Sequence, residues 1–266
     1  MRDLSTRFPV WLCDVWGVVH NGQAPIGSAV EALEKHRAAG GKVIFITNAP
    51  RPMKTIQAFI DRIGVPRSAY DAMVTSGDVT RALMLQLGAH GLYHLGPDED
   101  LPLFEGLAVK RLPLERAGAV ICTGFFDEVN ETAKDYLPLL HTIKARGLTL
   151  ICANPDKVVW EGGRLYPCAG AIAEEYQGIG GKVLMAGKPF APIYDVALKL
   201  AGAPDKAQVL AIGDGPETDI KGAVANGLAC VFISGGINTA PGAEAEVRAK
   251  YPTAQIEASM EELEWQ

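Results

Sequence analysis

Short apolar runs recur along the chain, each followed by a longer stretch of mixed polarity. The runs FPVWLC, KVIFIT, AMVTS, AVICTG, LTLICA, KVLMAG, QVLAIG and ACVFIS are rich in Val and Ile. They lack the apolar–polar alternation of a half-exposed strand, which predicts strands buried on both faces of a parallel sheet. Between them lie stretches of helical period. In GSAVEALEKHRAAG, Val30, Leu33 and Ala38 form an apolar set and Gly40 supplies a stop. Alternating strands and helices predict an α/β fold with a mostly parallel sheet. The tail beyond residue 240, rich in Ala and Glu, reads as a solvated helix.

The middle of the chain differs from its flanks. It holds the Gly- and Pro-rich stretch LGPDEDLPLFEGL and a second α/β set of its own. The expectation is an inserted α/β domain at 79–174, within a discontinuous core formed by 1–78 and 175–266.

Composition narrows the classes without naming one. The chain has 266 residues, 48% hydrophobic and 21% charged, as in an ordinary globular protein. A formal net charge of -6 argues against non-specific binding to nucleic acid or to anionic membranes. No apolar stretch approaches the roughly 18 residues of a membrane span. No signal-like apolar region precedes Asp14, so a cytoplasmic location is expected. The five cysteines include no CxxC pair, which indicates neither a zinc knuckle nor a disulfide framework. Cys13 and Cys168 read as buried structural thiols.

Candidate chemistry sits where the strands end. In open parallel sheets, ligands bind beyond the carboxyl ends of the strands. Here those ends carry Asp14 (LCD), Thr47 and Asn48 (FITN), Lys188 (MAGK) and Asp214 (AIGDG). Each alone reads equally as a cap, a turn or a solvated residue. Together they supply two carboxylates, a hydroxyl, an amide and an ammonium, the inventory for holding a divalent metal and a phosphate against a nucleophile. Magnesium needs only one or two protein carboxylates, and a carboxylate beside it stays ionised and able to attack phosphorus.

The segments DVWGVV, IFITNA, GKP and GDGPETDIKGA resemble the four motifs of the haloacid dehalogenase-like hydrolases, in order. ANPD and YPCAGAIAEEY resemble the class IIA branch, the nitrophenylphosphatase and sugar- or nucleotide-phosphatase-like group. The resemblance implies a Rossmann-like core with a C2-type α/β cap and a Mg²⁺-dependent phosphatase. Asp14 would be the nucleophile and a metal ligand. Thr47 and the backbone of Asn48 would bind phosphate, and Lys188 would bridge phosphate and nucleophile. Asp214 would be the second acidic metal ligand, and Asp219 would hold a metal-bound water or orient Lys188. Asn154, Pro155 and Asp156 would shape substrate choice, although a plain turn explains them equally. The implied partner is a small phosphorylated metabolite, with pairing through the cap as the implied oligomer.

One residue departs from the pattern. The family's first motif places a second Asp two residues after the nucleophile, to protonate the leaving oxygen and then activate water. This chain has Trp16 there. The metal would still find the backbone carbonyl of Trp16, but an indole only donates a hydrogen bond. General acid–base help is worth roughly 10²–10⁴-fold in rate. Four readings stay open: a phosphatase that is slow or limited to good leaving groups; one in which His20 substitutes; a non-catalytic phosphate-ligand binder or regulatory protein; and a dehalogenase-like reaction. The last needs no metal, whereas Asp214 and Asp219 are both present.

Overall fold

A computed structural model describes residues 1–87, 90–161, 164–236 and 242–266, the side chains of residues 160 and 161 excepted. The chain begins with α1 (Arg2–Arg7), β1 (Val10–Cys13), α2 (Gly27–Ala38), β2 (Lys42–Thr47), α3 (Met53–Arg62) and β3 (Ala72–Thr75). Next come α4 (Ser76–Leu87), β4 (Leu92–Leu95), β5 (Ala119–Cys122), α5 (Leu137–Ala145), β6 (Thr149–Cys152), β7 (Val158–Glu161), β8 (Arg164–Pro167), α6 (Ala169–Gly178) and β9 (Lys182–Met185). It closes with α7 (Ala191–Leu200), β10 (Val209–Gly213), α8 (Lys221–Asn226), β11 (Ala229–Ile233), α9 (Ala243–Lys250) and β12 (Gln255–Met260). No helix among the described residues is long and apolar enough to cross a membrane.

Two compact units share the chain. The first comprises Met1–Thr47, Ile56–Val74 and Lys188–Gln266; the second comprises Asn48–Thr55 and Thr75–Gly187. The first holds a six-stranded sheet in the order β12-β11-β10-β1-β2-β3. β1 pairs in parallel with β10 on one side and β2 on the other. The chain thus runs outward from β1 to β3 and later restarts on the opposite side, so β1 and β10 flank the point where strand order reverses, the usual ligand crevice of such sheets. β1, β10 and β11 are buried along their whole length. Strands covered on both faces need this unbroken apolar content, which is why the Val- and Ile-rich runs were legible. The α/β, Rossmann-like expectation is borne out.

The second unit has its own sheet, β4-β5-β6-β9, all in parallel, and an antiparallel pair, β7 with β8. Its two faces are packed separately. Val120, Cys122, Leu150 and Cys152 face Ile172 and Tyr176, whereas Ala119, Ile121 and Ile151 face Met84 and Leu103.

Three sequence expectations need correction. The run KVLMAG is not a strand of the main sheet: β9 pairs with β6, so the second unit extends to Gly187 rather than 174. It also starts at Thr75 rather than 79 and takes in the Asn48–Thr55 loop. The tail is not helix alone: after α9, β12 adds to the edge of the main sheet through β11. Its alternating exposure, with Gln255 and Glu257 outward, disguised it as polar helix.

Candidate active site

Asp14 is the first residue past β1, and its N–H continues the ladder by donating to the Ile212 carbonyl at 2.8 Å. Its carboxylate is buried; Oδ1 accepts from the Val15 N–H at 2.7 Å. Lys188 Nζ, itself only 2% exposed, lies 2.6 Å from the same oxygen and 2.8 Å from Asp219 Oδ1. Asp219 sits in the π-helical turn Pro216–Ile220, a form common at functional sites, and its Oδ2 accepts from the Gly215 N–H at 3.1 Å. Asp214 directly follows β10 and is buried. Oxygens of Asp14, Asp214 and Asp219 all lie within 4.8 Å of one another.

The electrostatics follow from that crowding. Three carboxylates face one ammonium, a formal excess of two negative charges. Burial first, then the charges of Asp219 and Asp214, push the Asp14 carboxyl well up, against the pull of Lys188. Burial alone would lower Lys188, but Asp14 and Asp219 hold its ammonium well above the ordinary lysine value. Such a cluster favours one more cation. Its donor set, carboxylate oxygens throughout, suits a hard divalent ion, and Asp14, Asp214 and Asp219 could each offer it one oxygen.

Two glycines make room for this arrangement. A Cβ at Gly17, whose φ is +83°, or at Gly236 would overlap the Asp214 carboxylate. Only glycine permits both that backbone conformation at 17 and the approach. The sequence carries no sign that Gly236 belongs to the site; it reads as one of many turn glycines.

Thr47 ends β2 and is buried, two residues beyond Phe45, the register partner of Cys13. It therefore lies at the same carboxyl edge as Asp14. Lys188 reaches Asp14 by a different route from the one expected: it comes from the segment between β9 and α7, not from the end of a strand in this sheet. Cys13 is fully buried and its thiol is pushed well up, chiefly by burial.

Trp16 and His20 build the loop after β1. Gly17 N–H donates to the His20 carbonyl at 2.9 Å, and the Trp16 and His20 rings meet edge-on at 5.1 Å. Gly22, with φ +89°, lies under the six-membered ring of the indole, where a Cβ would collide with it. His20 is 2% exposed, packs edge-on against Phe59 at 5.6 Å, and accepts the Gly22 N–H on Nδ1 at 3.0 Å. With that lone pair engaged, a neutral imidazole carries its proton on Nε2. Burial also lowers it to about 4. The geometry thus makes His20 a brace of the loop and counts against its serving as a replacement base.

Asn48, Asn154 and Asp156 are brought together in the second unit. Asn48 Nδ2 donates to Asp156 Oδ1 at 2.9 Å, and the Asp156 N–H donates to Asn154 Oδ1 at 3.0 Å.

A Rossmann-like unit with a buried, lysine-bridged carboxylate cluster at its switch point is the class that fold and site define. The haloacid dehalogenase-like hydrolase profile matches residues 11–110, and a second profile of haloacid dehalogenase-type hydrolases matches 185–262. The crystal structure of a haloacid dehalogenase-like hydrolase from Brucella suis 1330 is 43% identical, with 99% of this chain and 98% of that one covered and a TM-score of 0.90. Glycerol-3-phosphate phosphatase of Gallus gallus is 26% identical, with 90% of this chain and 83% of that protein covered. A glycerol phosphate phosphatase of Mycobacterium tuberculosis, solved in complex with calcium, is 25% identical, with 88% of this chain and 68% of that one covered and a TM-score of 0.68. The chain belongs to the haloacid dehalogenase-like hydrolase family, and the class IIA resemblance read from its motifs is borne out.

Proposed function

We propose that the chain is a Mg²⁺-dependent phosphatase of small phosphate monoesters that works through an aspartyl phosphate on Asp14 and depends strongly on the leaving group. The observation that carries this reading is the buried Lys188 bridge from Asp14 to Asp219, with Asp214 beside it. The phosphatase names and the calcium complex of the relatives support it.

A carboxylate oxygen of Asp14 attacks phosphorus, an oxygen–phosphorus bond forms, and the bond from phosphorus to the leaving oxygen breaks. Water then attacks the same phosphorus, the bond from phosphorus to the Asp14 oxygen breaks, and the protons of the water leave with the inorganic phosphate. The Val15 N–H and Lys188 fix the direction in which the carboxylate faces. Lys188 neutralises charge on the transferring group, the main work of phosphoryl transfer, and Asp219 holds the ammonium in place. Thr47 and the Asn48 backbone hold the phosphate oxygens. A divalent ion held by Asp14, Asp214 and the Trp16 carbonyl would add charge neutralisation at the phosphate.

No proton donor stands at position 16, so the leaving oxygen departs unprotonated. Esters of acidic alcohols tolerate this; alkyl phosphates are slowed by it. A series of aryl phosphates of graded phenol acidity, extended to glycerol phosphate, tests the point in wild type and Trp16→Asp. Wild type should favour p-nitrophenyl over glycerol phosphate, and Trp16→Asp should narrow that ratio by at least about tenfold. Equal ratios in both proteins would refute the role given to Trp16.

A further inference from the structure

We infer that Asp156 is a positioning residue, which sets the phosphate loop through Asn48 instead of reading the leaving group of the substrate. This rests on the phosphate-binding role proposed for Thr47 and Asn48. The loop that follows β2 belongs to the second unit from Asn48 on and is wired throughout within it. Besides the Asn48–Asp156 bond at 2.9 Å, Gly77 N–H donates to the Ala49 carbonyl at 3.1 Å. Thr75 Oγ1 donates to the Arg51 carbonyl at 2.7 Å, and Met53 N–H to Asp78 Oδ1 at 3.1 Å. Arg51 Nε donates to the buried Asp100 at 2.8 Å.

Within this web, the Asn48 side chain is held on one side and closely approached on the other. Its nitrogen is held by Asp156, and its oxygen rests against Gly187, where any side chain would overlap it. Asp156 is fixed in turn by Asn154 and by Gly170, whose N–H donates to the Asp156 carbonyl at 3.1 Å. The clamp therefore grips the chain one residue after Thr47 and one residue before Lys188. A carboxylate bonded to the Asn48 amide orients the peptide whose N–H meets phosphate, and it does so whatever alcohol the phosphate is attached to.

The test is calorimetric titration of inorganic phosphate into the Mg²⁺-loaded protein, with kcat/KM for p-nitrophenyl phosphate and glycerol phosphate alongside. Inorganic phosphate has no leaving group, so it reports the loop alone. Asp156→Ala should weaken phosphate binding roughly tenfold and lower kcat/KM for both esters by a common factor. Asp156→Asn, which keeps an oxygen toward Asn48 Nδ2, should stay within about threefold of wild type. Asp156→Ala with Asn48→Ala should be no worse than the poorer single variant, the mark of two residues acting as one. Asp156→Ser, too short to reach Asn48, replaces Asp156→Ala should the latter not fold. Unchanged phosphate affinity, losses that differ between the two esters, or additive losses would overturn the inference. So would a wild type without phosphate affinity. A wild type that binds phosphate but turns over neither ester refutes the phosphatase reading and leaves the titration to judge Asp156.

Discussion

Replacing Lys188 with Met removes the cation that touches both Asp14 and Asp219 and keeps most of the side-chain volume. The two carboxylates are 7% and 4% exposed, so water cannot replace the ammonium cheaply. Deleting one partner of a buried ion pair typically costs 3–5 kcal/mol. Cavity terms are small for a Lys→Met change, so a loss of about that size is expected near pH 7 in chelator-containing buffer. For a chain of this length it lowers the melting temperature by roughly 6–20 °C. Without Lys188 the Asp14 carboxyl moves further up. Because Lys188 pulls that carboxyl down, its loss favours the protonated form in the fold, so the deficit shrinks as pH falls and grows as pH rises. The same excess of negative charge makes the variant respond more strongly to a divalent cation, which stabilises the native state by RT ln(1 + L/Kd), where L is the free cation concentration. Urea unfolding followed by circular dichroism, at pH 5 and pH 8, with chelator or millimolar Mg²⁺, reads all three effects. A deficit under about 1 kcal/mol in chelator, the range of exposed pairs, would refute the reasoning. A Mg²⁺ gain smaller than that of wild type would refute it equally.

Two further outcomes follow from the packing. His36 is fully buried and stacks on Trp11 at 3.8 Å, and its value, like that of His20, is lowered to about 4 by burial. Both must be neutral in the fold, so their contribution to stability is flat above about pH 6.5 and is lost from there toward pH 4, by up to about 3 kcal/mol for each. Urea midpoints between pH 4.5 and 8 check this, and His36→Phe should flatten the slope; an unchanged slope contradicts it. Gly236→Ala pushes a methyl group into the Asp214 carboxylate. It should weaken Mg²⁺ binding by about 10–100-fold, as loss of a supporting contact does, with activity recovering at high Mg²⁺. Wild-type Mg²⁺ affinity would count against Asp214 as a ligand.

The elements that could be read from the chain are those whose neighbours are generic. A strand buried on both faces needs only apolar residues, so β1, β2, β10 and β11 showed themselves as Val- and Ile-rich runs. β9 had the same look, yet sheet membership depends on which partner it meets, and its partner is β6. Lys188 was singled out for a topological reason that does not hold: it reaches Asp14 from the segment after β9, a strand of the other sheet. β12 alternates in exposure, and its short polar stretch hid beside a helix. Carboxylates stood out because burying them at a strand end is costly without partners. Gly236 did not, because its contribution is the absence of a side chain at one point in space. Trp16 was visible only as a departure from a motif. That its ring folds onto Gly22 and His20, bracing its own loop, required the structure.

The central claim, that Asp14 is the nucleophile of a Mg²⁺-dependent phosphatase, is tested most directly by p-nitrophenyl phosphate hydrolysis in wild type and Asp14→Asn, with and without Mg²⁺. Wild type should release p-nitrophenol only with Mg²⁺, and Asp14→Asn should release none above background while remaining folded. Release that persists unchanged in Asp14→Asn, or a folded wild type inactive with Mg²⁺, would contradict the account.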